Sequence, residues 1–235
     1  MKKALLLSIV ICLTAVVAQD VLHAQSKVGQ GGVQFLVGFP SGEFKDELDK
    51  TAFGFGIDAL YAPHGFGIGI AFGYLQYGST TRNVPFSLTI PDVRVDVTTS
   101  NGIALFDLLL RLNTLKGDVK PYIDALVGLS YIFTTTSIDD EDYDDDHEIA
   151  SSTNKDDIAF NYGAGAGILI KITTIQDGDS EQYVYIDLGA RYLFGGEAEY
   201  NYPGIIERPD GSIDYDERKS RTDLIQARIG VLIEF

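Results

Sequence analysis

Cysteine is all but missing from this chain of 235 residues: its single copy, Cys12, lies in an apolar stretch near the N-terminus, and tryptophan is absent altogether. A lone cysteine excludes a disulfide framework and a cysteine-bound metal. Ile9-Val10-Ile11 precede it where a lipoprotein site needs a small residue, which argues against lipid attachment. Long apolar runs are equally scarce. After residues 4–18 no stretch is long enough to cross a bilayer as a helix, so no helical membrane protein is indicated. Basic side chains are few as well, 18 against 34 acidic. That balance argues against nucleic acid as a partner and leaves no basic patch for anionic lipid.

What is present begins with Met1-Lys2-Lys3, the apolar run to residue 18, and Leu22-His23-Ala24 before Gln25. This is the pattern of a secretory signal over residues 1–24. Removing it takes Lys2, Lys3 and Asp20, leaving 16 basic against 33 acidic side chains and turning the net charge of −16 into −17. Residues 25–235 read as one domain, since no Pro- or Ser-rich linker divides them. An exported domain without disulfides has to be stabilised by another device.

Apolar residues recur with period two almost throughout. In the last segment Ile225, Ala227, Ile229, Val231, Ile233 and Phe235 alternate with Leu224, Gln226, Arg228, Gly230, Leu232 and Glu234. A run of this kind has about the 9–11 residues that a tilted strand needs to cross the hydrocarbon layer. Similar sets stand at Val33 to Phe39, Phe53 to Tyr61, Phe66 to Tyr74, Ala104 to Leu112, Ile123 to Phe133, Phe160 to Ile170 and Val184 to Phe194. Together they predict about eight strands, an even number suited to a closed antiparallel up-and-down barrel. The connections alternate in length. Short turns are expected at 62–65, 113–119 and 174–182, and long polar extracellular loops at about 40–51, 78–100, 137–157 and 196–220.

Alternation alone cannot tell a membrane barrel from a soluble lipocalin-like one, because the apolar face could turn either way. The opposite face decides. It carries Asp58, Asp107, Arg111, Asp124, Lys171, Asp187, Arg191, Arg228 and Glu234, and around them Gly54, Gly56, Gly67, Gly69, Gly73, Gly163, Gly165 and Gly167. Small residues suit a narrow lumen, where glycine on one wall makes room for arginine from another. Nearly balanced signs then suit a buried ion-pair network, with the apolar face turned to lipid.

Four cues carry a resemblance to a known family: Phe39-Pro40-Ser41-Gly42-Glu43-Phe44 after the first strand, Lys120-Pro121-Tyr122-Ile123 opening the fifth, Gly163-Ala164-Gly165-Ala166-Gly167, and the terminal Phe235. With them the chain resembles the small OmpA/OmpX-type outer-membrane barrels over its whole mature length. The resemblance implies the Gram-negative outer membrane as location, membrane lipid as surroundings, and the barrel-assembly machinery as a partner that reads Val231, Ile233 and Phe235. It does not imply cell-wall tethering, because nothing follows Phe235. Nor does it choose a task, since the family includes structural proteins, adhesins and narrow porin-like pores.

No catalytic site and no cofactor are assigned. A lipid-modifying outer-membrane enzyme would need a histidine beside a serine or carboxylate. His64 falls in a short turn, and His147 lies near Ser151 and Ser152 in an acidic loop without a scaffold. The acidic segment includes Asp140, Asp142, Asp144 and Asp146, the positions at which divalent cations could bridge to lipid phosphates. It lacks the register of an EF-hand, and a solvated, self-repelling loop is the simpler reading. Gly54-Phe55-Gly56 opens a dinucleotide-like spacing, but Tyr61-Ala62-Pro63 follows instead of a helix. A structural or surface-interaction barrel is the expected role, with a narrow pore as the alternative.

Overall fold

The computed structural model describes residues 29–87, 90–114, 117–140, 148–177, 180–202, 206–207, 213–214 and 216–235. The expected signal segment (residues 1–24), His147, Asp142, Asp144 and Asp146 lie outside these residues, and the side chains of His64 and Asp140 do too. Among the described residues no helix is long and apolar enough to cross a membrane.

Eight strands close into one antiparallel ring: β1 (Gly29–Pro40), β2 (Ala52–Tyr61), β3 (Phe66–Ser87), β4 (Ile90–Asn113), β5 (Val119–Asp140), β6 (Glu148–Asp177), β7 (Ser180–Gly195) and β12 (Leu224–Glu234). Sequence neighbours pair in turn, and β12 returns to β1 over the register Gln30↔Glu234 to Pro40↔Leu224. At the seam the backbones of Gly29 and Phe235 exchange two hydrogen bonds of 2.9 Å. Closure leaves no free edge through the belt, which is what a sheet needs where no water is available to its amides.

The apolar sets face out. Val33, Phe35, Phe55, Ile68, Leu108, Ile123, Phe160, Ile229 and Val231 are all exposed, Val33 by 61%. Between Phe66 and Tyr74 on β3, and at matching heights on the other strands, the outward positions hold only apolar or aromatic residues. So continuous an apolar surface on a closed barrel is stable only against lipid. The lipocalin-like alternative, with its apolar face inward, does not match this arrangement. The protein is a membrane-embedded β-barrel.

The short turns lie at one end, together with Gly29 and Phe235, and the 3₁₀ turn Pro63–Gly65 is one of them. At the other end the expected loops are largely regular structure. The segment 40–51 contains helix α1 (Glu43–Leu48). The described residues of the segments 78–100 and 137–157 continue the strands, so β3 to β6 rise past the belt as a four-stranded sheet. Polarity suggested loops there, but threonine is a good strand residue when both faces are wet. Cross-strand hydroxyl pairs such as Thr81 with Thr98, 2.9 Å apart, supply the contacts that apolar pairs supply below. The described residues of the segment 196–220 form an antiparallel pair of β8 (Glu197–Asn201) and β11 (Glu217–Arg221), with the short pair β9 (Ile206–Glu207) and β10 (Ile213–Asp214) between them in sequence.

Candidate functional site

The barrel interior is stacked in three layers. The middle one is ionic. Asp58 on β2, Arg111 on β4, Asp124 on β5, Asp187 and Arg191 on β7, and Arg228 on β12 all point inward and are buried, with Arg111 and Asp187 at 0% exposure. Asp58 Oδ2 accepts from three guanidiniums: Arg228 at 2.8 Å, Arg191 at 2.9 Å and Arg111 at 3.2 Å. Arg111 also grips Asp124 with two parallel bonds, Nε to Oδ1 at 2.7 Å and an Nη to Oδ2 at 2.9 Å. Arg191 reaches the same Asp124 oxygen at 3.0 Å. Arg228 binds Asp187 and donates to the Tyr122 hydroxyl, which in turn donates to Asp187 at 2.6 Å.

Two local features allow this density. Arg111 lies over the Tyr122 ring, 4.2 Å from its centre, so its charge is faced by the ring's negative face as well as by carboxylates. Tyr122 itself fits because Gly167 and Gly189 stand across from its hydroxyl, and a β-carbon at either position would collide with it. Gly167 and Gly189 thus seat one tyrosine whose hydroxyl links Arg228 to Asp187. Asp107 is also buried, but it stands outside the ion pairs, its Oδ1 against Gly128 and without a hydrogen-bond partner.

Lys171 and Glu234 lie elsewhere than in this central cluster. Lys171 follows the last regular rows of β6, next to a register shift before Thr173, and its ammonium sits 4.2 Å over the Tyr183 ring. Glu234 pairs with Lys120 at 3.0 Å and accepts from Gln30 at 3.1 Å at the short-turn end. Lys120 was legible as an inward position, since it has the parity of Asp124, but in the sequence it read as part of a strand opening. Val231 and Phe235 are exposed to the outside of the seam.

The layers above and below are apolar, which charge counting did not anticipate. Toward the short turns, Tyr122, Leu169, Tyr185 and Leu232 pack together with Tyr183. Toward the long arms a larger cluster joins inward Leu36, Leu75, Leu105, Leu109, Leu126 and Leu193 to residues of the connections. Phe44 and Leu48 of α1 are buried in it, as are Ala198 and Tyr200 of β8. Phe44 meets Tyr200 edge-on with ring centres 5.2 Å apart.

The β8–β11 hairpin crosses the mouth, and the Asn201 carbonyl accepts from Asn101 of β4 at 3.2 Å. Polar ties hold it there. Lys155 of β6 binds Glu199 at 3.0 Å and Glu217 at 3.3 Å, and Arg218 binds Glu47 of α1 and Asp216, each at 2.6 Å. The Lys155 hydrogen bond holds the Glu199 carboxyl below its usual range, and Arg218 does the same for Asp216. Among the described residues no group of histidines, cysteines and carboxylates has the arrangement to hold a metal ion.

Among solved structures the chain resembles small outer-membrane barrels. Neisserial surface protein A is 13% identical, with 88% of this chain and 97% of that one covered at a TM-score of 0.42. The attachment invasion locus protein Ail of Yersinia pestis is 12% identical, with 90% and 100% covered at 0.39. The N-terminal barrel domain of Pseudomonas aeruginosa OprF is 13% identical, with 89% and 100% covered at 0.34. Scores at this level carry no inference alone; the fold follows from the closed ring of strand pairs. No protein-family model and no curated relative match the chain.

Proposed function

We propose that this protein is an integral outer-membrane barrel with a structural or surface-interaction role, closed to solute passage and without enzymatic activity. One observation carries the reading: a charged layer with three arginines sharing Asp58 lies between two apolar layers inside a barrel whose outside is lipid-facing. A conducting pore needs a continuous wet path. Here the arginine side chains span the lumen and leucine and tyrosine pack on both sides of them. The long-arm end, which carries most of the polar surface, faces the exterior, and the short turns face the periplasm.

In this reading residues 1–24 direct export and are removed, and the outward face of the closing strand, with Val231, Ile233 and Phe235, is presented to the assembly machinery. The acidic segment with Asp140, Asp142, Asp144 and Asp146 offers divalent cations a bridge to lipid phosphates at the exterior. Calcium titration by calorimetry, with no heat of binding, would remove that role.

Planar-bilayer recording tests closure. Folded protein, identified by its faster migration when unboiled, is expected to give no stepwise current. Reproducible steps that change when Arg191 or Arg228 is neutralised would replace this reading with a narrow pore. The observation favouring that second reading is that the outer apolar layer is partly built from connections, α1 and β8, rather than from the wall.

A further inference from the structure

Above the belt, the outward face of the sheet formed by β3 to β6 continues the lipid-facing surface. By register the row directly above the belt is Gln76–Gly102–Phe133–Asp156, and the two rows above that hold eight residues, Ser79–Ser100–Thr135–Thr153 and Thr81–Thr98–Ser137–Ser151. All eight are hydroxyl residues. Charges border these rows but do not interrupt them: Arg82, Lys155 and Asp157 have the opposite parity, Asp156 stands in the row beneath beside Phe133, and Asp96, Asp139 and Glu148 stand in the row above with Asn83. Ser79, Thr81 and Thr153 are exposed.

Their height decides what lies next to them. Thr135 follows Phe133 by two residues, roughly 7 Å along the strand, and Phe133 packs with Tyr131 and Tyr74 in an aromatic cluster on the outside. Aromatic girdles mark the level of the membrane interface. The two rows therefore stand beside headgroups, separated from the surface that contacts the acyl chains by the single row of Phe133 and Asp156. Neighbouring hydroxyls already touch, Thr81 with Thr98 at 2.9 Å and Ser79 with Ser100 at 3.4 Å. Each hydroxyl has one donor and two acceptor positions, so a pair retains capacity for a further partner. An uncharged surface that both donates and accepts matches a sugar better than a phosphate, the more so on a chain of strongly negative charge.

We propose that this face binds the sugar hydroxyls of glycolipid headgroups in the leaflet at the long-arm end. The proposal rests on the membrane reading above and deepens it by naming a lipid class. The full mature chain would be reconstituted in vesicles of phosphatidylcholine, alone or mixed with a neutral glycosyl diacylglycerol or with phosphatidylglycerol, all with matched acyl chains. Thermal loss of the β signal would be followed by circular dichroism.

The glycosyl lipid is expected to raise the midpoint by about 2–4 °C over phosphatidylcholine, the shift that a modest binding energy produces in a domain of this size. The triple variant Thr81→Val, Thr98→Val, Thr135→Val keeps shape and strand preference. It should lose that rise while keeping its midpoint in phosphatidylcholine. No rise for the unmodified protein overturns the proposal, and so does an equal rise in the variant. A rise with phosphatidylglycerol alone overturns it in favour of phosphate recognition. Should the triple variant not fold, Ser79→Ala with Ser100→Ala makes the same comparison. Failure of the unmodified protein to insert into any vesicle would instead sink the membrane reading.

Discussion

Asp58 shows how much one residue can organise in this interior. Its Oδ2 is shared by Arg111, Arg191 and Arg228, which arrive from three different strands, so removing its charge leaves a surplus of buried guanidinium. Breaking a buried pair on one side costs about 3–5 kcal/mol. Asp58→Asn is therefore expected to destabilise the barrel by that order, read from urea unfolding in lipid vesicles. Gly167 tests the opposite kind of constraint. Gly167→Val places carbon where the Tyr122 hydroxyl lies, and overpacking of this kind costs about 1–3 kcal/mol. Loss of the tyrosine's near-ultraviolet dichroism should accompany the drop in stability. The inward parity of Asp58, Arg111, Asp124, Asp187, Arg191 and Arg228 was legible in the alternation with apolar neighbours. Which carboxylate served which arginine was not, because partners such as Asp58 and Arg228 are brought together by closure across most of the chain.

Among elements, the β8–β11 hairpin is where a polar segment takes on a packing role. Ala198 and Tyr200 enter the outer apolar layer while Glu199, Glu217 and Arg218 make ion pairs outside it. Glu199 and Asp216 have their folded pKa values lowered by Lys155 and Arg218. A carboxylate lowered on folding stabilises the fold fully above its ordinary range and loses that contribution as pH falls through the folded value. Amide exchange of residues 197–201 should therefore quicken below the ordinary carboxylate range, while that of β12 stays unchanged at the same pH. Unaltered protection of the hairpin would show that the apolar contacts alone hold it. The sequence signalled this segment only as polar, since the two buried apolar residues of a short strand, Ala198 and Tyr200, do not stand out from their charged neighbours. The strand extensions were hidden for a related reason: threonine and serine on both faces remove the alternation by which the other strands were found.

For the whole molecule, the decisive property is that the apolar side is the outside. Val231 faces lipid on β12 while Arg228 and Leu232 face the interior, so adjacent residues live in different solvents. Val231→Arg is expected to cost about 2–4 kcal/mol near the midplane of the membrane. Comparable folding of this variant and the unmodified protein in bilayers would contradict the facing. The same inversion explains how a chain with a single cysteine, and so no internal disulfide, remains stable. Each strand of the belt is paired on both sides around the ring, and the interior has its own core, with apolar layers enclosing the ionic one.

The sequence by itself determined the number of barrel strands, their facing and the inward parity of the six charges that meet at the centre. Period-two alternation is a local property, and so is the length of a run that can cross a membrane. Only the tertiary structure decided how the inside is filled. Inward leucines on seven strands look like isolated residues until closure stacks them, and α1 and β8 become part of the core only when the mouth exists to receive them. The sharing of Asp58 has the same origin, because hydrogen-bond geometry between distant strands is set by the register of the ring rather than by any neighbour in the chain.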